Sequence, residues 1–297
     1  MSPGAAMSPG ARLFVALQYL LPQLALSRLI GRIARARRSW IRGPLIRAFV
    51  RAYRPDMDDA VEREPLAYPS FNAFFTRALR ADARLLATAP RAIVSPVDGR
   101  VSALGTIRAG RLLQAKGQDY SLSALLAGNA ALEAQLRDGL FMTLYLAPYN
   151  YHRIHMALAG RLRGAWYVPG RLFSVNDVTA RLVPGLFARN ERVVLHFEGE
   201  CGIYVLILVG ALFVGSMGTV WHGDIAPLRA RGPVALPPSA PGTVQAADRL
   251  PQGAELGRFN MGSTVILLLA PQTGLWNPEL EAGSVVRMGQ SIGSRRA

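Results

Sequence analysis

This 297-residue chain has four histidines, one cysteine and one lysine, and two of the histidines stand three residues apart. They lie in Tyr151-His152-Arg153-Ile154-His155-Met156, just after a Pro148-Tyr149-Asn150 turn. Such a pair can ligate a metal, but no cysteine and no nearby carboxylate completes a site, so nucleophilic or acid–base work suits it better. A second segment, Ser95-Pro96-Val97-Asp98-Gly99-Arg100, carries a carboxylate in an Asp-Gly pair, which taken alone reads as a hairpin turn. A third, Leu256-Gly257-Arg258-Phe259-Asn260-Met261-Gly262-Ser263-Thr264, sets a hydroxyl behind a glycine and runs straight into an apolar strand. A bare Gly-Ser-Thr is the mark of any tight turn. Each signal is weak by itself, and only a fold that gathers the three could make them one site.

The elements that would do this are mostly strands. Apolar stretches bounded by Gly and Pro predict strands at 92–94, 100–104, 140–146, 160–168, 192–197, 203–209 and 264–269, with helices near 70–79 and 121–127. Residues 226–241, rich in Ala and Pro, read as an irregular surface loop. Cys201 opens an apolar run and reads as a buried small hydrophobe, and a single cysteine rules out an internal disulfide. The class expected is α+β: a mostly antiparallel, β-rich domain with an N-terminal amphipathic helical segment.

That N-terminal segment is where the charge is lopsided. The net charge is +15, and the first 55 residues hold ten arginines and no acid. After a flexible tail (1–10), residues 12–53 turn helical. Leu13, Leu17, Leu20 and Leu24 recur at spacings of three and four, with Arg28, Arg32 and Arg35 on another face further along. Ile46, Phe49, Val50 and Tyr53 then gather opposite Arg47, Arg51 and Arg54. Basic amphipathic helices of this kind lie on anionic membranes. The alternative is a helical hairpin packed on its own domain. The longest apolar stretch, 13–26, is 14 residues and includes Pro22 and Gln23, whereas a spanning helix needs about 20.

Together and in this order, the three segments resemble the phosphatidylserine decarboxylase family, whose proenzymes carry an Asp-Gly turn, a Tyr-His-x-x-His segment and a Gly-Ser-Thr processing site. Lys116-Gly117 with Tyr120-Ser121-Leu122, Leu172-Phe173-Ser174-Val175-Asn176 and Asn190-Glu191-Arg192 also look like family segments. So do Val209-Gly210-Ala211 with Gly215-Ser216, and Glu255-Leu256-Gly257 with Phe259. The likeness runs from about residue 71 to 289. Ala157 departs from the family's proline after His-Met, which loosens the loop but removes no reactive group.

The resemblance implies a self-cleavage relay of Asp98, His155 and Ser263: carboxylate, base and nucleophile, recognised by role rather than chain order. Ser263 attacks the carbonyl of Gly262, and the chain divides into a β chain (1–262) and an α chain (263–297). Ser263 becomes a pyruvoyl group, which forms a Schiff base with phosphatidylserine and draws off the electrons released with CO2. The product is phosphatidylethanolamine, a step of phospholipid biosynthesis. His155 or His152 would return a proton to the carbanion. No metal is implied. Pyridoxal phosphate needs a lysine, and Lys116 is the only one. Residues 11–60 would associate with the membrane and 61–297 form the catalytic domain. The enzyme would sit peripherally on the cytoplasmic face of the cell membrane, its partner an anionic membrane holding the substrate; a homodimer stays open.

Other classes fit less well. A serine hydrolase lacks its Gly-x-Ser-x-Gly elbow here, and no nucleic-acid motif accompanies the arginines, so no nucleic-acid partner is expected. A non-catalytic lipid-binding relative would lack a relay member. The runner-up is a pyruvoyl-dependent decarboxylase of a soluble amino acid, against which the N-terminal helices argue.

Overall fold

A computed structural model describes residues 8–115, 118–213, 216–225, 230–237, 245, 248–261 and 263–296, residue 263 in its backbone. Lys116, Gly117, Gly215 and Gly262 lie outside the described residues, as does half of the 226–241 stretch, in which Val234–Ala235 forms a short strand.

The centre is a nine-stranded sheet, antiparallel throughout. Its main path runs Val234–Ala235, Gly160–Val168, Arg192–Gly199, Gly202–Val209, Ser263–Leu269, Leu140–Leu146, Gly99–Thr106, Val285–Val286, and Arg249–Leu250 adds to the second of these. Past Ser263 and Thr264 the Ser263–Leu269 strand is continuously apolar because both its faces are covered. Val265, Leu267 and Leu269 enter one core with Met142, Leu144 and Leu206, while Ile266 and Leu268 enter another with Phe141, Val205 and Ile207. With strand neighbours on both sides, every backbone group in it also has a ladder partner to find.

The expected strands at 140–146 and 160–168 have those bounds, and the fold class is as expected. The helix expected at 70–79 spans only Phe71–Phe75. Beyond it the chain extends to pair with 59–61, Val61 N–H bonding to the Ala78 carbonyl and Arg80 N–H to that of Asp59. Cys201 is a second correction. It is partly exposed, in the turn joining two sheet strands, with its sulfur 3.9 Å from an Arg295 nitrogen.

The N-terminal segment forms three helices: α1 (Pro9–Leu20), α2 (Gln23–Ala34) and α3 (Ser39–Tyr53). Pro22 breaks the first two apart at 89°. No single helix among the described residues is long and apolar enough to cross a membrane, though that bent pair passes by length and composition. The segment is docked rather than loosely appended. Ile46 and Phe49 pack on Phe71, Phe74 and Phe75 of α4 (Phe71–Phe75). Gln18 and Gln23 are buried, and their carbonyls accept the backbone N–H groups of Ser174 and Leu172 at 2.8 and 2.9 Å. The leucine stripe points the other way. Leu17 is 51% and Leu20 81% exposed, and Trp40 at the start of α3 is 69% exposed.

Candidate active site

Three adjacent strands bring the expected residues to one end of the sheet. Leu140–Leu146 is the middle strand. Residue 263 lies opposite Leu146 on one side, and Arg100 lies opposite Tyr145 on the other, so Asp98 and Ser263 flank the same strand end. Strand spacing sets their separation at about 10 Å, two steps of roughly 4.8 Å. The middle strand then leads through the 147–150 turn into Tyr151 and the histidines. His155 ends the short Arg153–His155 strand, and its N–H bonds to the Pro96 carbonyl at 2.8 Å, just ahead of Asp98. That strand pairs with Glu255–Phe259, whose chain continues into Asn260, Met261 and the 262–263 junction.

Gly99 is needed where it stands. A Cβ there would lie 2.6 Å from the Tyr145 carbonyl oxygen, so the Asp-Gly pair marks a close approach between strands and not the hairpin turn its sequence suggests.

Asp98 is buried and doubly held. Its Oδ1 accepts from Arg84 Nε at 3.0 Å and from the Met288 N–H at 2.8 Å, and its Oδ2 accepts from the second Arg84 nitrogen at 2.5 Å. His155 is held by other groups. One ring nitrogen, Nδ1, lies 2.8 Å from the Gly253 carbonyl, which can only accept, so Nδ1 carries the proton. Nε2 is then the acceptor, and the Tyr151 hydroxyl donates to it at 2.9 Å. No hydrogen bond or ion pair joins Asp98 to His155. Burial draws the His155 pKa below its ordinary value, partly offset by the Gly253 carbonyl and by the charges of Glu255 and Asp98. His155 is therefore a neutral imidazole at physiological pH with its basic lone pair resting on Tyr151, whose own hydroxyl burial pushes above the ordinary tyrosine range.

His152 is wholly buried. Its Nδ1–H donates to the Asn150 carbonyl at 2.8 Å, the Phe75 ring lies 4.1 Å away, and Nε2 has no partner among the described residues. Desolvation, offset in part by the Asn150 carbonyl, lowers its pKa to about 3. The unfolded chain binds this proton from about pH 6.5 downward while the native chain does not. Native stability is thus complete above that value and is lost as pH falls towards the folded pKa. Between about pH 6.5 and 4.5 the loss from this group alone should be about 2 kcal/mol. Thermal melts across that range should show it, and His152→Gln, which cannot titrate, should flatten the slope. An unchanged slope in the variant would mean that His152 titrates normally in the native state.

Two residues without a role in the sequence reading organise the junction. Asn260 is buried, its amide N–H groups reach Ser216 Oγ at 2.7 Å and Asp224 Oδ1 at 3.2 Å, and its carbonyl accepts from Asn72 at 3.0 Å. Arg35, the residue that caps the end of α2, joins the same Ser216 hydroxyl at 2.7 Å, tying the N-terminal helices to the junction. Met261 has φ +93°, a left-handed conformation that costs a side-chain-bearing residue roughly 1–3 kcal/mol. It also lines an apolar cavity of about 590 Å³ between α2, α3 and α4, together with Ile33, Leu45, Phe49, Phe75 and Phe213.

Comparison with known proteins agrees with this arrangement. The family model described as "Phosphatidylserine decarboxylase" matches residues 71–294, and one described as "PSD" matches residues 13–54. The phosphatidylserine decarboxylase proenzyme of Ectopseudomonas mendocina is 51% identical over 294 residues, covering 95% of this chain and 98% of its own. That of Azotobacter vinelandii is 50% identical over 287 residues, with the same coverage. The Methylococcus capsulatus proenzyme is 46% identical over 285, covering 96% of this chain and 97% of its own. Matched by the family model from α4 to the last strand, and by these relatives over nearly its whole length, the chain belongs to the phosphatidylserine decarboxylase family.

Proposed function

We propose that the chain cuts itself between Gly262 and Ser263 and then decarboxylates phosphatidylserine to phosphatidylethanolamine. The observation that carries this reading is the junction itself. A strained Met261 stands directly before the 262–263 bond, at the sheet end shared by Asp98 and His155, on the rim of an apolar cavity.

In the first reaction Ser263 Oγ attacks the Gly262 carbonyl carbon, and its proton passes to His155 Nε2. Tyr151 holds that lone pair, so its hydroxyl either yields the position or relays the proton. The C–N bond breaks as the nitrogen takes a proton, leaving an ester. Loss of the α-hydrogen of residue 263 expels the Gly262 carboxylate, and water then replaces ammonia at the resulting dehydroalanine to leave a pyruvoyl end. Asp98 acts through its charge, favouring the imidazolium that forms. The backbone strain at Met261 fits such a cut, which would relax it.

The pyruvoyl group supplies an electron sink for the carbanion left by CO2. The chain's own residues do the rest. The cavity beside Met261 accepts apolar lipid, and pockets of this size and lining suit ligand chains. Buried Nε2 of His152, without a partner among the described residues, has an open lone pair for a substrate group, and His152 or His155 returns the proton to the product. Residues 61–297 form the catalytic domain, and residues 11–60 hold it on the anionic, cytoplasmic face of the membrane. Intact mass under denaturing conditions tests the whole reading: two chains, with the smaller beginning at a pyruvoyl end, are expected, and a single full-length chain in an active sample defeats it.

The membrane face is tested separately. Leu17, Leu20 and Trp40 are exposed, and seating each in lipid contributes roughly 1.5–3 kcal/mol. The triple variant Leu17→Glu/Leu20→Glu/Trp40→Glu should partition into anionic vesicles at least about a hundredfold less while still maturing to two chains. Point substitutions are the cleaner probe, because deleting the segment would also strip Ile46 and Phe49 from α4. Undiminished co-sedimentation would refute the membrane face.

A further inference from the structure

The charge of Asp98 matters to self-cleavage only if it is held in place, and His155 does not hold it. Arg84 does, from one side. Its side chain is 10% exposed, two of its nitrogens grip both oxygens of Asp98, and its third reaches Asp59 Oδ2 at 2.6 Å. A planar guanidinium fixes a carboxylate in orientation as well as distance. The bonds to Asp98, then to Asp59, push the Arg84 pKa above its already high value, so the clamp stays charged.

The other side of the grip comes from beyond the cut. Met288 is the second residue of a turn closed by the Gln290 N–H on the Arg287 carbonyl at 3.0 Å, with Gly289 third at φ +86°. That is the type II pattern, which demands a glycine at its third position. The turn is seated between the two clamped segments. Gly289 N–H bonds to the Ser95 carbonyl at 3.0 Å, Ser95 N–H to that of Gln290 at 2.8 Å, and Ala87 N–H to that of Gly289 at 2.9 Å. Seating it turns the Met288 N–H onto Asp98.

We propose that Arg84 and the 287–290 turn are a two-sided clamp that positions Asp98, so that the C-terminal segment must dock before the chain can cut itself. Arg84 is a positioning residue in this scheme, and Met288 acts through its backbone alone. A precursor whose last strands are still unplaced lacks one of the three donors that the described residues place on Asp98, and is spared. The proposal rests on the assignment of Asp98 to self-cleavage.

The test follows maturation of the full-length precursor after cell-free synthesis, on denaturing gels. Proline fits the second position of a type II turn, so Met288→Pro removes the N–H and keeps the turn, whereas Met288→Ala keeps both. The proline variant should mature at least about tenfold more slowly than the alanine variant. Arg84→Gln should slow maturation about a hundredfold in the Asp98 chain. In a chain already carrying Asp98→Asn, against its slow residual maturation, Arg84→Gln should change the rate less than about threefold, because it acts through that carboxylate. Equal slowing in both backgrounds would make Arg84 merely structural and overturn the clamp. Equal rates for the proline and alanine variants would overturn the docking requirement. Melting each variant in the Ser263→Ala background checks the fold. If the proline variant melts well below the alanine one, Arg84→Gln decides alone, and wild-type maturation by it refutes the proposal. Should Asp98→Asn itself mature at the wild-type rate, the fault lies in the assignment of Asp98, a result distinct from every failure of the clamp.

Discussion

Ser263→Ala is expected to remain one full-length chain indefinitely and to show no decarboxylase activity. The variant lacks the oxygen that would attack Gly262, and no neighbouring residue of the junction (Asn260, Met261, Thr264) has a hydroxyl that closes a five-membered ring onto that carbonyl carbon. Without the cut there is no pyruvoyl end, and with a single lysine in the chain a different carbonyl cofactor has one residue at most to hold it. Folding should be spared, because residue 263 opens a strand whose ladder to Leu146 is made by backbone. The effect is therefore all or none, and a denaturing gel reads it. Two chains of the expected sizes from this variant would remove Ser263 from the reaction.

His155→Ala is the second large effect. A positioned base contributes about 10²–10⁴ in rate, and self-cleavage should slow by that factor. The neutral tautomer fixed by Gly253 is the working form, so the wild-type rate should hold at neutral pH. It should fall as pH drops through a pKa that burial has moved below the ordinary 6.5. His152→Ala should differ in kind: it should mature and then turn substrate over poorly. Asp98→Asn combined with His155→Ala should cost no more than the worse single change, since base and carboxylate act as a unit. Maturation of His155→Ala at the wild-type rate, in a gel time course, would place the base elsewhere.

The strands were readable from sequence because a strand covered on both faces is mostly apolar, as Leu140–Leu146 is apart from Thr143 and as Val265–Leu269 is throughout. The three reactive segments were readable as residue types, and their common sheet end follows from antiparallel pairing about one middle strand. The partners of the reactive groups were not. The grip of Arg84 on Asp98 joins two residues in an irregular stretch, and the Met288 N–H is a backbone donor that leaves no trace in side-chain identity. The Tyr151–His155 bond was hidden differently, because at a spacing of four it looks helical, while the chain there is largely extended. Helix amphipathicity also misleads about direction. In α1 periodicity finds the leucine stripe but not that the core takes Val15 and Gln18 instead, the glutamine's side-chain carbonyl satisfied by the Ser174 N–H.

The segment after the proposed cut supplies the middle of the nine-stranded sheet, along with strands that pair to Ala92–Val94 and Gly99–Thr106. A precursor folds with these strands tethered to their partners at high local concentration. The matured enzyme, once unfolded, would have to reassemble the same sheet from two separate molecules, at whatever concentration the cell provides. Its survival is then governed by how slowly it opens rather than by any equilibrium between folded and unfolded forms. A chain cut there would fold as a single chain only once, and the central strand, buried from Thr264 to Leu269 with ladder partners on both sides, would make that one folding last.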